Sequence, residues 1–205
     1  MSLEARAVGF RYGSGPWVFR KFDITVGAGE MVGLLGPSGC GKTTLARLLA
    51  GHEDPREGRV LFDGAALPRA GYCPVQLVSQ HPEHAVNPRW RMRDIMCEGW
   101  SMAEDTMEML SIQPEWLDRY PSELSGGEIQ RFCVARTLSP STRILIADEM
   151  TTMLDAITQA QLWRAVRETV DQRGLGVLVV SHERALIDAL CDRTVALEAA
   201  DAPEP

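Results

Sequence analysis

The sequence predicts an α/β fold with a mostly parallel central sheet, an antiparallel β part at the N-terminus and an inserted α-helical subdomain. Short, fully apolar runs at 144–147 and 177–180 alternate with helical segments, which is typical of parallel strands covered by helices on both faces. From residue 8 to 26, apolar and polar residues alternate on both sides of a turn at 13–16, which predicts two strands joined by a loop. Between about 81 and 141 the apolar residues recur at helical spacing instead.

The other elements follow from local signals in chain order. The apolar run at 31–35 predicts a strand that enters a glycine-rich turn, and 43–50 predicts a helix that ends at Gly51. A strand at 59–62 precedes a tight turn at Asp63 and Gly64. Beyond the apolar run at 144–147 we expect a helix at 156–171, the strand at 177–180, a helix that ends near residue 190 and a last strand at 194–197.

The length predicts one domain, because 205 residues are about 1.4 times a typical domain of roughly 150 residues. We expect a core lobe of about 1–80 and 142–205, a helical signature subdomain of about 81–141, and a short tail at 199–205.

Composition narrows the classes of protein that the chain can represent. Its net charge of −7 argues against a general nucleic-acid binder, so no nucleic-acid partner is expected. No apolar run approaches the roughly 18 residues of a membrane-spanning helix, and the N-terminus lacks the apolar segment of a secretion signal. The five cysteines form no CxxC pair, which favours free thiols in a reducing cytosol.

A phosphate-binding loop follows the strand at 31–35. Residues 36–43 match GxxxxGK[ST] at every fixed position, between a strand and a helix, which predicts a P-loop NTPase. Glycines let the backbone N–H groups face phosphate oxygens, while Lys42 supplies a charge and Thr43 a hydroxyl for Mg²⁺. The nucleotide-binding set is Gly36, Pro37, Ser38, Gly39, Cys40, Gly41, Lys42, Thr43 and Thr44. Cys40 leaves two interpretations open, a small spacer or a reactive thiol at a helix N-terminus.

Polar side chains follow two of the predicted parallel strands. Asp148 and Glu149 end the strand at 144–147, and His182 follows the strand at 177–180. Ligands of doubly wound sheets lie at the carboxyl ends of the strands, so Asp148 is expected to hold Mg²⁺ and Glu149 to polarise the attacking water. His182 is expected to sense the γ-phosphate. The other histidines, at 52, 81 and 84, are expected on the surface.

The segment 124–128 reads Leu-Ser-Gly-Gly-Glu before a helix-like stretch at 129–138. Ser125 and Glu128 have the spacing of a capping box. Gly126 and Gly127 would in addition expose backbone N–H groups at a helix start, which is a second phosphate-binding surface. Since one chain folds only one phosphate loop, a second reader of the γ-phosphate suggests that the site is completed across a dimer.

Together these motifs resemble the ATP-binding cassette family over nearly the whole chain. In this resemblance 36–43 is Walker A, 124–128 is the signature with Glu128 in place of glutamine, and 144–149 is Walker B with the catalytic glutamate. The resemblance further implies that Tyr12 stacks on adenine, that Gln80 is the Q-loop glutamine and an Mg²⁺ ligand, that Asp155 belongs to the D-loop at 152–155, and that His182 is the switch histidine.

The resemblance implies an ATPase that uses ATP and Mg²⁺ and hydrolyses ATP. Two cassettes, identical or paralogous, would enclose two ATP molecules head to tail and drive integral-membrane permease subunits at the cytoplasmic face of a bacterial inner membrane. Glu128, Met150 and Met153 depart from the family pattern but remove no catalytic group, and Met150 is expected to alter the stiffness of its loop.

Segments 79–89 and 120–127 resemble the second ATPase of peptide, nickel and metallophore importers, although His81 and Ser79 differ from that pattern. Two other classes stay open at this stage: a soluble cassette ATPase of translation or DNA repair, and a P-loop kinase.

Overall fold

The computed structural model describes residues 1–100, 104–152 and 154–198. The tail predicted at 199–205 and the D-loop residue Met153 lie outside the described residues. Within them the α/β architecture predicted from the sequence is confirmed, with one antiparallel and one parallel sheet.

The antiparallel sheet is built from the first part of the chain. Its strand order is β2-β1-β4-β5, with β1 at Ser2–Phe10, β2 at Phe19–Gly27, β4 at Glu57–Phe62 and β5 at Ala65–Ala66. The alternation of apolar and polar residues predicted that the first strand starts at residue 8, but β1 starts at Ser2. The earlier start arises because β1 pairs with β2 on one side and with β4 on the other. The predicted turn between β4 and β5 is confirmed, since Asp63 and Gly64 both have positive φ, as a two-residue hairpin requires.

The second sheet has five strands, and all its pairs are parallel. The strand order is β6-β7-β8-β3-β9, with β3 at Met31–Leu35, β6 at Val75–Val78, β7 at Ile144–Asp148, β8 at Gly176–Val180 and β9 at Arg193–Ala196. Because the strands are parallel, the loops that follow β3, β6, β7 and β8 all leave from the same edge of the sheet. This edge therefore collects most of the residues predicted to bind and hydrolyse nucleotide.

Helices occupy the predicted segments. Helix α1 spans Lys42–Leu49, α2 Met92–Met96, α3 Glu104–Met109, α4 Gly126–Thr137, α5 Ala156–Arg173 and α6 Arg184–Leu190. Gly51 follows α1 with a φ of 77°, and Gly174 follows α5 with a φ of 65°, so a left-handed glycine lies just past the end of both helices. Among the described residues between β6 and β7 there are helices and short 3₁₀ turns but no strand, as the helical spacing at 81–141 predicts.

The strands of the parallel sheet separate two hydrophobic clusters. In β8, Val177 and Val179 belong to one cluster, while Leu178 and Val180 belong to the other. The first cluster also contains the buried apolar residues of α2, α4 and α5, and the second contains those of α1 and of the antiparallel sheet. The helical segment thus packs on one face of the sheet and shares a core with it, because α2 and α4 place their apolar residues against the same strands.

Candidate functional site

The loop between β3 and α1 has a backbone that only glycine fits at two positions. Gly41 has a φ of 102°, and a Cβ there would lie 2.4 Å from Cγ1 of Val18. A Cβ on Gly36 would lie 2.6 Å from the backbone oxygen of Leu197. The glycines therefore let the loop turn tightly into α1, whose first-turn N–H groups have no partner within the helix. This arrangement is typical of a phosphate site.

Lys42 and Cys40 are both buried in this loop. Lys42 is 7% exposed, and its Nζ donates hydrogen bonds to the backbone oxygens of Gly36, at 2.8 Å, and of Pro37, at 3.0 Å. The ammonium is thus held at the loop by carbonyl groups that an anion can replace. Cys40 is only 2% exposed. Its burial favours the interpretation as a small spacer over the hypothesis of a reactive thiol, because an alkylating reagent needs access to the sulfur.

Asp148 lies at the end of β7, directly beside the start of α1. It is 3% exposed, and its Oδ1 accepts a hydrogen bond from Oγ1 of Thr43 at 3.3 Å. Burial raises the pKa of the Asp148 carboxyl, and the Thr43 hydroxyl offsets part of this effect. A buried carboxylate next to a hydroxyl provides the hard oxygen ligands that Mg²⁺ prefers, so the donor set fits this ion.

Glu149 and His182 meet at the ends of neighbouring strands. Oε1 of Glu149 lies 3.3 Å from Nδ1 of His182. The backbone of Glu149 is left-handed, with a φ of 49°, and its N–H donates to the backbone oxygen of Val180 at 2.9 Å. A left-handed conformation is costly for a residue with a side chain and is found where function or surrounding contacts impose it. Here it aims the carboxylate at the histidine.

Tyr12 and Gln80 reach the same region from other elements. The hydroxyl of Tyr12 lies 3.1 Å from Oγ1 of Thr44, and the ring packs edge-on against Phe10 at 5.0 Å between centroids. Tyr12 is nevertheless 56% exposed, which leaves ring surface free beside the loop. Gln80, at the end of the segment after β6, lines a cleft of about 960 Å³ together with Thr43 and Asp148.

The predicted signature residues form the start of α4. Oγ of Ser125 accepts from the Glu128 N–H at 3.3 Å, and Oε2 of Glu128 accepts from the Ser125 N–H at 2.7 Å. The capping box is therefore confirmed, and the Glu128 side chain points back at its own helix. A Cβ on Gly126 would meet nothing within 4 Å, so this helix start is open. None of residues 125–128 lines the cleft that contains Thr43 and Asp148.

Asp155 has a local structural role at the start of α5. Its Oδ1 accepts hydrogen bonds from the N–H groups of Ile157 and Thr158, both at 3.0 Å. Hydrogen bonding, above all from Thr158, lowers the pKa of the Asp155 carboxyl. Met150 is 3% exposed and packs in the larger cluster, so the departure from the family pattern at this position contributes to the core.

Gln130 is a residue that the sequence patterns did not single out. It is 2% exposed on α4, and its Nε2 donates to the backbone oxygen of Ser79 at 3.4 Å. Its Oε1 is buried without a hydrogen-bond partner among the described residues. The side chain joins the signature helix to the segment that ends at Gln80. In the sequence, Gln130 stands out only as an amide among the apolar positions of a helix. That pattern does not predict its hydrogen bond to Ser79.

Comparison with known proteins gives a consistent result. A family model described as "ABC transporter" matches residues 19–152. The nickel import ATP-binding protein NikE of Rhodospirillum rubrum is 36% identical, over 88% of this chain and 72% of that protein. NikE of Escherichia coli K12 is 33% identical, over 88% of this chain and 75% of that protein.

Solved structures agree in fold. A dimeric bacterial ABC transporter cassette superposes with a TM-score of 0.80 at 20% identity, over 96% of this chain and 94% of that one. A dimeric cassette in a post-hydrolysis state, bound to ADP and phosphate, has the same TM-score and identity. Another, described as the ATP-binding subunit of an ABC transporter, has a TM-score of 0.81 at 21% identity.

The fold and the phosphate loop thus define a nucleotide-binding cassette. The chain belongs to the ABC transporter family and is an ATP-hydrolysing enzyme of that family. The predicted family is confirmed, and the P-loop kinase alternative is set aside. Among the described residues no helix is both long and apolar enough to cross a membrane.

Proposed function

We propose that this chain is the ATP-hydrolysing subunit of an importer of peptides, nickel or a metal chelate, and that it acts on ATP with Mg²⁺ as a head-to-tail dimer. The observation that carries the proposal is the meeting, at one edge of the parallel sheet, of the phosphate loop, the buried Asp148 and the strained Glu149. The names of the nickel import relatives support the class of solute.

Binding of ATP is assigned to the loop at 36–43, to Thr44 and to Tyr12. The first-turn N–H groups of α1 and the buried Lys42 would bind the phosphates, with Lys42 exchanging its bonds to Gly36 and Pro37 for bonds to phosphate oxygens. The exposed ring of Tyr12 would stack on the adenine, held in place by its contact with Thr44. Thr43, Asp148 and Gln80 would hold Mg²⁺, which neutralises charge on the β- and γ-phosphates when bound.

Hydrolysis is assigned to Glu149 and His182. The Glu149 carboxylate would orient and polarise the attacking water, because it is fixed at the strand edge by its own backbone bonds. His182, 3.3 Å from that carboxylate, would hold the γ-phosphate side of the site and connect it to the end of β8. Gln80 is assigned to catalysis with them, because it would link the Mg²⁺ and the attacking water to the helical segment that follows it.

The second half of each site is assigned to a partner cassette, identical or paralogous. The helix start at Ser125, Gly126 and Gly127, which is open at Gly126, would bind the γ-phosphate held by the partner. Because Glu128 is engaged in the capping box, its charge is directed into its own helix and away from that phosphate. Asp155, with the rest of the D-loop, would lie at the seam between the two chains.

The chain is proposed to power integral-membrane permease subunits and to bind them at the cytoplasmic face of the inner membrane. We assign 1–80 and 142–205 to a core lobe and 81–141 to a helical subdomain, which is the proposed docking place for a permease segment. A soluble cassette ATPase of translation or DNA repair is the alternative. Co-purification of the chain with an integral-membrane protein supports the transport function, whereas recovery with ribosomes or DNA supports the alternative.

The mechanism is tested with two variants. Glu149→Gln keeps the shape of the side chain but removes its charge, so ATP binding should persist while hydrolysis stops and a dimer accumulates. Lys42→Ala should lose nucleotide binding and therefore form no ATP-dependent dimer. Size-exclusion chromatography with ATP and Mg²⁺ distinguishes them. A Glu149→Gln protein that binds ATP yet stays monomeric contradicts the sandwich arrangement.

A further inference from the structure

Two histidines lie next to each other directly after Gln80. A 3₁₀ turn at Pro82–His84 begins directly after His81 and ends at His84. The imidazoles of His81 and His84 lie next to each other, although His81 itself has a non-helical backbone with a φ of −108° and a ψ of 89°. Their ring centroids are 5.5 Å apart, with 39° between the planes. Both histidines line the cleft of about 960 Å³ and are exposed to solvent.

Glu83 orients one of the two rings. Its Oε1 lies 3.3 Å from Nδ1 of His81. When a carboxylate accepts the Nδ1 proton of a histidine, the other ring nitrogen, Nε2, carries a free lone pair and becomes a better ligand. Metal-bound histidines in proteins are commonly held in this way by a carboxylate, a backbone carbonyl or water.

We propose that His81 and His84 bind a divalent transition-metal ion, with Glu83 as the positioning residue of His81. Two neighbouring imidazoles suit Ni²⁺, Cu²⁺ or Zn²⁺, whereas Mg²⁺ prefers oxygen ligands. The described residues contain no group of three or more His, Cys, Asp or Glu side chains placed to hold a metal ion. The protein therefore supplies two ligands, and water completes the coordination shell of an exchangeable ion.

This site goes beyond the proposed ATPase function, because it needs neither nucleotide nor permease. Because of its location, however, a bound ion would affect both the nucleotide site and the coupling to a permease. The turn at Pro82–His84 follows Gln80 directly and packs on α4, where Sγ of Cys133 contacts the backbone oxygen of Pro82 at 3.7 Å. A bound ion would fix the two imidazoles together and stiffen this wall of the cleft.

Isothermal titration calorimetry of the untagged full chain with NiCl₂, without nucleotide, tests the site. We expect one Ni²⁺ per chain. His81→Gln and His84→Gln should each weaken binding at least about tenfold, and Glu83→Gln should weaken it by about 10–100-fold, as loss of an orienting carboxylate does elsewhere. His52→Gln is the matched control, because His52 is an exposed histidine that lines the same cleft but lies outside the turn at Pro82–His84. MgCl₂ in excess should not displace the nickel.

The outcomes are separable because all the substituted side chains are exposed, so the variants are expected to keep the wild-type melting temperature. Full nickel affinity in either His81→Gln or His84→Gln would overturn the proposal. So would an equal loss in His52→Gln, or binding that disappears only on substitution of the exposed Cys97 by serine. ATP binding by the same variants reports separately on the ATPase assignment, which can fail without affecting this site.

Discussion

The left-handed backbone of Glu149 predicts an inverted order of stability between two substitutions. At an ordinary position alanine is more stable than glycine by about 0.4–1 kcal/mol, since glycine leaves the unfolded chain more freedom. At a φ of 49° alanine keeps the left-handed strain, which costs roughly 1–2 kcal/mol, while glycine removes it. The difference makes Glu149→Gly equal to Glu149→Ala or more stable by up to about 1.6 kcal/mol.

Differential scanning calorimetry of the nucleotide-free protein checks this order. For a domain of this size 1 kcal/mol corresponds to about 2–4 °C, so the glycine variant should unfold up to about 6 °C above the alanine variant. The comparison is matched, because both variants lose the carboxylate and its contact with His182, and both should lack ATPase activity. If alanine proves the more stable by 0.4 kcal/mol or more, Glu149 is not strained and the reasoning fails.

Three further predictions concern the rest of the site. Ser125→Ala removes the cap of α4 and should lower stability by about 1 kcal/mol, or about 2–4 °C in thermal unfolding. Gly41→Ala places a Cβ 2.4 Å from Cγ1 of Val18, so it should cost about 1–3 kcal/mol in urea unfolding and weaken ATP binding. Because burial raises the pKa of Asp148, the folded protein holds the proton of this carboxyl more tightly than the unfolded chain does. The stability of the wild type therefore falls as the pH rises from the pKa of the unfolded state to that of the folded state. Asp148→Asn should therefore melt above wild type at pH 7, with the gap closing towards pH 4; a constant gap would contradict this.

Much of the fold could be predicted because local signals and tertiary partners agree. The strand at Met31–Leu35 has the predicted bounds, and the last strand differs from its prediction by one residue at each end. The start of β1 was not predictable from alternation, since residues 2–7 are held in a strand by pairing with β2 and β4 from elsewhere in the chain. Strand order likewise depends on such distant pairs: β3 lies between β8 and β9, which follow it by more than 140 residues.

For the site, the sequence predicted which residues lie near one another, but it did not predict their backbone conformation or their burial. The pairings of Thr43 with Asp148 and of Glu149 with His182 follow from motifs at the ends of parallel strands. The sequence does not predict the left-handed backbone of Glu149, because a positive φ at a glutamate is imposed by the contacts around it in the folded chain. The burial of Cys40 could not be predicted either, since it depends on tertiary packing: a Cβ on Gly36 would lie 2.7 Å from the Cys40 sulfur.

The alternation of β7 and β8 between two cores limits where the gene can gain or lose codons. Deleting one residue inside β8 would reverse the direction of the side chains on one side of the deletion, so that residues such as Val177 and Leu178 would each face the other cluster. It would also displace His182, the second residue after the strand, from its contact with Glu149. Insertions and deletions should therefore be tolerated mainly in the helical segment between β6 and β7, where length can vary without reversing any strand.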